Sequence, residues 1–337
     1  MPRVASRGTR GEKRWRLPPH GWLHSRSSGP TVRSVCAWPL LTAVLFATPV
    51  MAQDDGARLY MLAPKDTTIA SVRVHSLHSN VGTDTGTVSD DPNLNTTLVV
   101  FQFVQEFEVG RQQHMAFLVV PGSRIHSEVG LVPGGPPDSV TGLGDVQLGY
   151  VVGLYGTPSL PAADYAVHPP GLAVNLLGKL FLPTGKYSDT RTTNIGANRF
   201  AVRLGVPIVY AIGKGMGDPS LTTIELMPTV TFYGSNDRPY GAERMTQAPL
   251  LIVEGHLTRG LAKGFWASLD MLWRRGGETE VDGVKSDNSQ QALSLGVTGV
   301  VALPQRWSLR LSGGAVVSRN EHGPNGWMAR AILGTAF

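Results

Sequence analysis

Few side chains of this 337-residue sequence stand in patterns that could do chemistry, and their spacing argues against most of it. His75-Ser76-Leu77-His78 sets two imidazoles three residues apart. On a strand such positions face opposite sides, so one ion cannot take both. Gly213-Lys214-Gly215-Met216-Gly217 has the composition of a phosphate loop. No helical pattern follows to aim its amides at an anion, so it reads as a turn. There is no Gly-x-Ser-x-Gly elbow, and His256, the one candidate base, has no evident serine partner. Acids at Asp90-Asp91-Pro92-Asn93, Asn236-Asp237 and Glu278-Thr279-Glu280-Val281-Asp282-Gly283 lack the pattern of a calcium loop and read as solvated loop charge. No catalytic residue, metal site or cofactor is expected.

A second set of ionisable residues is defined by where it stands. Arg73, Asp145, Lys179, Arg203, Glu225, Glu254, His256, Asp270, Arg274, Arg310 and Arg330 each fall within a run that alternates apolar with polar residues. A strand sends alternate side chains to opposite faces, so these charges share the face opposite an oily row. Their mixed signs suggest ion pairs across an enclosed space, either bracing it or lining a solute path.

The elements that must position them are strands of period two. Twelve candidates are expected: 67–77, 97–107, 113–120, 144–155, 172–182, 199–212, 220–234, 247–258, 264–275, 290–303, 306–318 and 327–337. In the sixth, Phe200, Val202, Leu204, Val206, Ile208, Tyr210 and Ile212 oppose Arg203. In the ninth, Phe265, Ala267, Leu269, Met271 and Trp273 oppose Trp266, Ser268, Asp270 and Arg274. The last, from Trp327 to Phe337, has an uncharged row that is aromatic at both ends, and resembles the closing strand of an outer-membrane barrel. Alternation alone suits a soluble sandwich as well as a membrane barrel. Connection lengths favour the barrel, because short and long turns alternate along the chain except at 156–171, where four prolines suggest a structured turn. Aromatics at strand ends (Trp266, Trp273, Trp307, Trp327, Tyr155, Phe265) suit interfacial girdles.

The formal charge of +5 comes from the front of the chain. Residues 1–52 hold eight basic residues and one acid, leaving 22 bases and 24 acids beyond them, so nucleic-acid binding is not indicated. Arg33 precedes an apolar run from Pro39 to Ala47 and then Val50-Met51-Ala52, which reads as an N-terminal extension and secretory signal cleaved before Gln53. The only cysteine, Cys36, would leave with it, so no disulfide or thiolate site is expected. Residues 53–66 show no alternation and would either hang in the periplasm or fold inward as a plug. Residues 67–337 would form the barrel.

Three ordered blocks carry a family resemblance. They are Gly142-Leu143-Gly144-Asp145-Val146-Gln147-Leu148-Gly149; Leu182-Pro183-Thr184-Gly185-Lys186-Tyr187 leading to Asn194-Ile195-Gly196-Ala197-Asn198-Arg199-Phe200; and Gly255-His256-Leu257, Gly264-Phe265-Trp266-Ala267-Ser268-Leu269-Asp270, Gly276-Gly277-Glu278-Thr279 with Asp282-Gly283-Val284. Together they resemble the outer-membrane transporter family named for the meta-pathway of phenol degradation. The resemblance implies an all-β transmembrane barrel linked to uptake of aromatic or other hydrophobic compounds, and it assigns no substrate-contacting residue.

The expected protein is therefore a bacterial outer-membrane, porin-like passive channel for small hydrophobic or aromatic solutes. Its partners would be outer-membrane lipid and, through the strand ending at Phe337, the barrel-assembly machinery. A lipid-hydrolase barrel using His256 and a closed structural barrel are the alternatives.

Overall fold

The computed structural model describes residues 54–81, 88, 94–128, 130 and 135–337. The expected leader with Cys36, its cleavage point before Gln53 and the acids of 90–93 lie outside them.

Twelve strands form the wall. They are β1 (Thr68–Ser79), β2 (Leu94–Val109), β3 (Gln112–Ser127), β4 (Asp138–Leu143 and Gln147–Tyr155), β5 (Leu172–Phe181), β6 (Ala201–Gly205 and Ile208–Ile212), β7 (Thr222–Tyr233), β8 (Leu250–Ala262), β9 (Phe265–Gly276), β10 (Gln290–Ala302), β11 (Trp307–Arg319) and β12 (Trp327–Ala336). Each pairs antiparallel with the next. β12 then pairs with β1 from Ile69↔Ala336 to His78↔Trp327, closing the sheet without a free edge. β3 and β4 extend further towards the long connections than their alternation suggested, β3 to Ser127 and β4 from Asp138. β6 breaks at Pro207, which has no N–H to donate. The break leaves little unsatisfied: Val206 N donates to Pro228 O at 3.1 Å, and Asn175 N donates to Pro207 O at 2.9 Å.

Turn chemistry sets the short end. Gly110 and Arg111 both have positive φ, 56° and 78°, as a two-residue hairpin that follows strand twist requires. The exceptional connection, 156–171, contains helix α1 (Ala162–Val167). It is tied to the next turn by Gly217 N donating to Ala166 O at 2.9 Å. That turn is the Gly213–Gly217 stretch. Asp218 organises it, accepting from Lys214 N and Ser220 N at 2.8 Å each, and those amides hold its carboxyl down to about 2. At the other end the acidic loops are more ordered than solvated charge. Met245–Gln247, Thr279–Val281 and Val284–Lys285 form a small antiparallel sheet. Asp282-Gly283 makes its tight turn, and Asp282 Oδ1 accepts the amides of Glu243 and Arg244 at 3.1 and 2.8 Å.

The two faces differ as the alternation demands. On β2, Val99, Phe101 and Phe103 point outward at 37–57% exposure, while Val100, Gln102, Val104 and Glu106 are buried within. The same split separates Leu204 from Arg203 and Leu269 from Asp270. Two expectations are corrected. Trp266 is no lipid girdle: its ring lies under the guanidinium groups of Arg58, at 4.6 Å, and Arg310, at 5.3 Å. Nor is the lumen polar throughout. Val100, Val104, Met115, Phe117, Val119, Val151, Leu177 and Met227 form one apolar cluster together with Tyr60 and Leu62. The inner rows of β2 and β3 can be apolar because protein, rather than water, lies against them.

Candidate functional site

Residues 54–66 run inside the wall. A segment without secondary structure has amides that must find acceptors when removed from water. Here carboxylates supply them. Glu254, on β8, accepts from Asp55 N at 3.1 Å and Gly56 N at 2.9 Å. Glu225, on β7, accepts from Arg58 N at 2.7 Å, and Glu106, on β2, from Ala63 N at 3.0 Å. Cations hold the segment's carbonyls. Arg310 Nη1 donates to Ala57 O at 2.9 Å, Asn175 Nδ2 to Tyr60 O at 2.8 Å, and Arg330 Nη1 reaches Asp54 O and Asp55 O at 3.3 and 3.4 Å.

Two carboxylates of the segment then meet two cations of the wall. Lys179 Nζ, on β5, lies 2.8 Å from Asp55 Oδ1, and Arg203 Nη1, on β6, lies 2.5 Å from Asp54 Oδ2. Burial by itself would raise the Asp55 carboxyl. The charges of Lys179 and Arg203 outweigh it and hold the group well below the usual carboxylate range. Tyr60 donates its hydroxyl to Asp55 Oδ2 at 2.8 Å, and burial beside that carboxylate pushes the phenol well up. Lys65 leaves the barrel by pairing with Glu108 at 3.3 Å on the exposed rim.

None of the eleven ionisable residues singled out in the sequence is exposed. Arg73, Lys179, Arg203, Glu225, Glu254, His256, Asp270, Arg274 and Arg330 are buried, while Asp145 and Arg310 are half-buried. They divide by what they touch. Glu225, Glu254, Lys179, Arg203, Arg310 and Arg330 hold the 54–66 segment, as described above. His256 lies between two carboxylates, with Nδ1 2.7 Å from Asp270 Oδ1 and Nε2 3.3 Å from Glu254 Oε1. Ser268 is close, but its hydroxyl donates to Asp270 Oδ1 at 2.7 Å, so it is not presented to the imidazole as a nucleophile. Asp145 staples a loop: Oδ1 accepts from Gly185 N at 2.8 Å and Oδ2 from Ala197 N at 2.7 Å. The first two family blocks thereby meet through one side chain. Among the described residues no group of three or more His, Cys, Asp or Glu could hold a metal ion. His78 bonds Asn95 Oδ1 at 2.9 Å, whereas His75 lines the lumen.

Sequence reasoning missed Asp54, Asp55 and Tyr60. A signal was present, since the inward set counts six Arg and Lys against four Asp and Glu. Two further carboxylates were owed, and Asp54-Asp55 supplies them. Asp54 and Asp55 also help to line a chamber inside the barrel. Charged groups (Arg73, Lys179, Arg199, Arg274) and apolar ones (Leu98, Phe117, Val119) line it together, with Lys179 Nζ 5.7 Å from the Phe117 ring.

A closed barrel of twelve antiparallel strands, oily outside and charged within, is an integral barrel of the bacterial outer membrane. Residues 78–330 match the family described as MetA-pathway of phenol degradation, and the chain belongs to it. No curated protein matches the chain in sequence. In fold it is similar to an outer membrane channel from Pseudomonas putida F1, with TM-score 0.68 and 19% identity over 85% of this chain and 100% of that one. The β domain of the Bordetella autotransporter BrkA aligns over 81% of this chain and 100% of that one, with TM-score 0.43 and 12% identity.

Proposed function

We propose that the protein is a passive, porin-like channel for small hydrophobic or aromatic compounds, and that residues 54–66 are its plug. The observation that carries this reading is the chamber: a space within the barrel lined by both charged and apolar groups, Asp54 and Asp55 among them. Membership of a phenol-degradation family supports aromatic solutes, and the channel from Pseudomonas putida F1 has the same fold. Lipid covers the exposed apolar rows, and assembly would proceed through β12 and its terminal Phe337.

The test compares the intact protein with a variant lacking 54–62 in planar bilayers, after heat-dependent gel mobility has established that both are folded barrels. The intact protein should conduct weakly and pass phenol in liposome flux assays, and the variant should conduct more. Folded barrels that pass neither ions nor phenol, with or without the segment, would leave a closed structural barrel instead.

A further inference from the structure

The chamber's charge and shape specify more than hydrophobicity. Its lining contributes five Arg and Lys side chains (Arg73, Lys179, Arg199, Arg203, Arg274) against three carboxylates (Asp54, Asp55, Asp145). The carboxylates are already engaged: Asp55 and Asp54 pair with Lys179 and Arg203, and Asp145 takes two loop amides. Arg199 is held by Gln247 and lies 4.6 Å over the Tyr233 ring. Arg73 is described by its own surroundings. It is 8% exposed, it lines the chamber, and its Nε has no hydrogen-bond partner among the described residues. His75, two residues along the same inward row, also lines the chamber with an unpartnered Nε2. A buried guanidinium N–H without an acceptor is costly, and the group that meets an arginine best is a planar oxyanion able to take two parallel N–H bonds.

The wall beside Arg73 is apolar: its cross-strand partner on β2 is Val100, and that of His75 is Leu98. Leu77 on β1, Leu98 and Val100 on β2, Phe117 and Val119 on β3 and Met328 on β12 line the same space. An ion with no carbon body would leave that wall against water, and a neutral hydrocarbon would leave Arg73 unmatched.

We propose that the chamber is a binding site for a small organic anion with one carboxylate head and an aromatic-sized apolar body, its head at Arg73 and its body against Phe117. This deepens the channel reading and rests on it for the route by which the ligand arrives. The binding step itself needs no conduction, so the two can fail separately.

The experiment is calorimetric titration of the purified, folded barrel in non-ionic detergent at pH 7 with three probes: benzoate, benzamide and acetate. Benzoate should bind saturably. Benzamide, which keeps the ring and loses the charge, and acetate, which keeps the charge and loses the ring, should each bind about ten-fold more weakly or worse, the size expected for hydrogen bonds to a charged group. Arg73→Met, which keeps most of the side-chain volume, should cost benzoate a similar factor and leave benzamide unchanged. No benzoate binding, equal affinity for benzoate and benzamide, or benzoate affinity unmoved by Arg73→Met would each overturn the proposal. The comparison of probes on the unmodified protein decides the matter even if the variant does not fold. A barrel that conducts without preferring benzoate removes this site and leaves the channel. One that binds benzoate and passes nothing removes the channel alone.

Discussion

Lys179 Nζ and Asp55 Oδ1 are 2.8 Å apart, although 124 residues separate them along the chain. The lysine belongs to the wall and the aspartate to the segment inside it, so this pair fastens one to the other. Asp55→Asn removes the charge and keeps the volume. Loss of one partner from a buried pair costs about 3–5 kcal/mol, because the other charge is left desolvated. The strand ladders do not depend on the pair, so the barrel should keep its heat-modifiable mobility. Single-channel conductance should rise towards that of the variant lacking 54–62. Unchanged conductance would show that the segment is held by its other bonds alone.

The same pair sets an acid dependence. The carboxyl of Asp55 is depressed in the docked state, so its contribution to docking is present at and above the usual carboxylate range, near 3.9. It is lost as pH falls through the lower, docked value. Docking should therefore persist from pH 8 to about pH 4 and weaken only in stronger acid. Conductance recorded against pH checks this, with Asp55→Asn lacking the acid-induced rise. Opening between pH 6 and 5 would show that Asp55 is not the controlling group.

Asp145 should matter for loop order more than for the wall. Its two bonds go to Gly185 and Ala197, and hydrogen bonds to a charged group are worth about 1.5–3 kcal/mol each. Asp145→Ala should speed trypsin cleavage after Arg191 while leaving the barrel folded. A Cβ on Gly185 would meet Gly196 Cα at 2.7 Å, so Gly185→Val should have the same effect by a different route.

The outward row can be tested by charge. Leu176, near the middle of β5, is 47% exposed and faces lipid, while Leu177 beside it is fully buried in the lumen. Leu176→Arg should reduce the folded fraction through a cost of up to about 2–4 kcal/mol, the value for a basic residue at the bilayer midplane. An equal yield of folded, membrane-inserted protein would mean that lipid does not contact that face.

The strands were legible because period-two alternation is local: Phe200 to Ile212 announces an oily face within thirteen residues, and Arg203 announces the other. The even strand number and the alternating connections followed from the same row-by-row reading. The Asp282-Gly283 pair is itself a local hairpin signal.

What the charges touch could not be read along the chain. Glu254 meets Asp55 across 199 residues and Arg330 meets Asp54 across 276. Such meetings depend on strand tilt and stagger around a closed wall, which no single segment encodes. For the same reason the alternation alone does not say what Val100 and Phe117 pack against, which in the folded barrel is Tyr60 and Leu62. Sequence determined which solvent each face prefers, since that is a property of one strand. Tertiary structure decided which residues share the enclosed space, since that is a property of all twelve together.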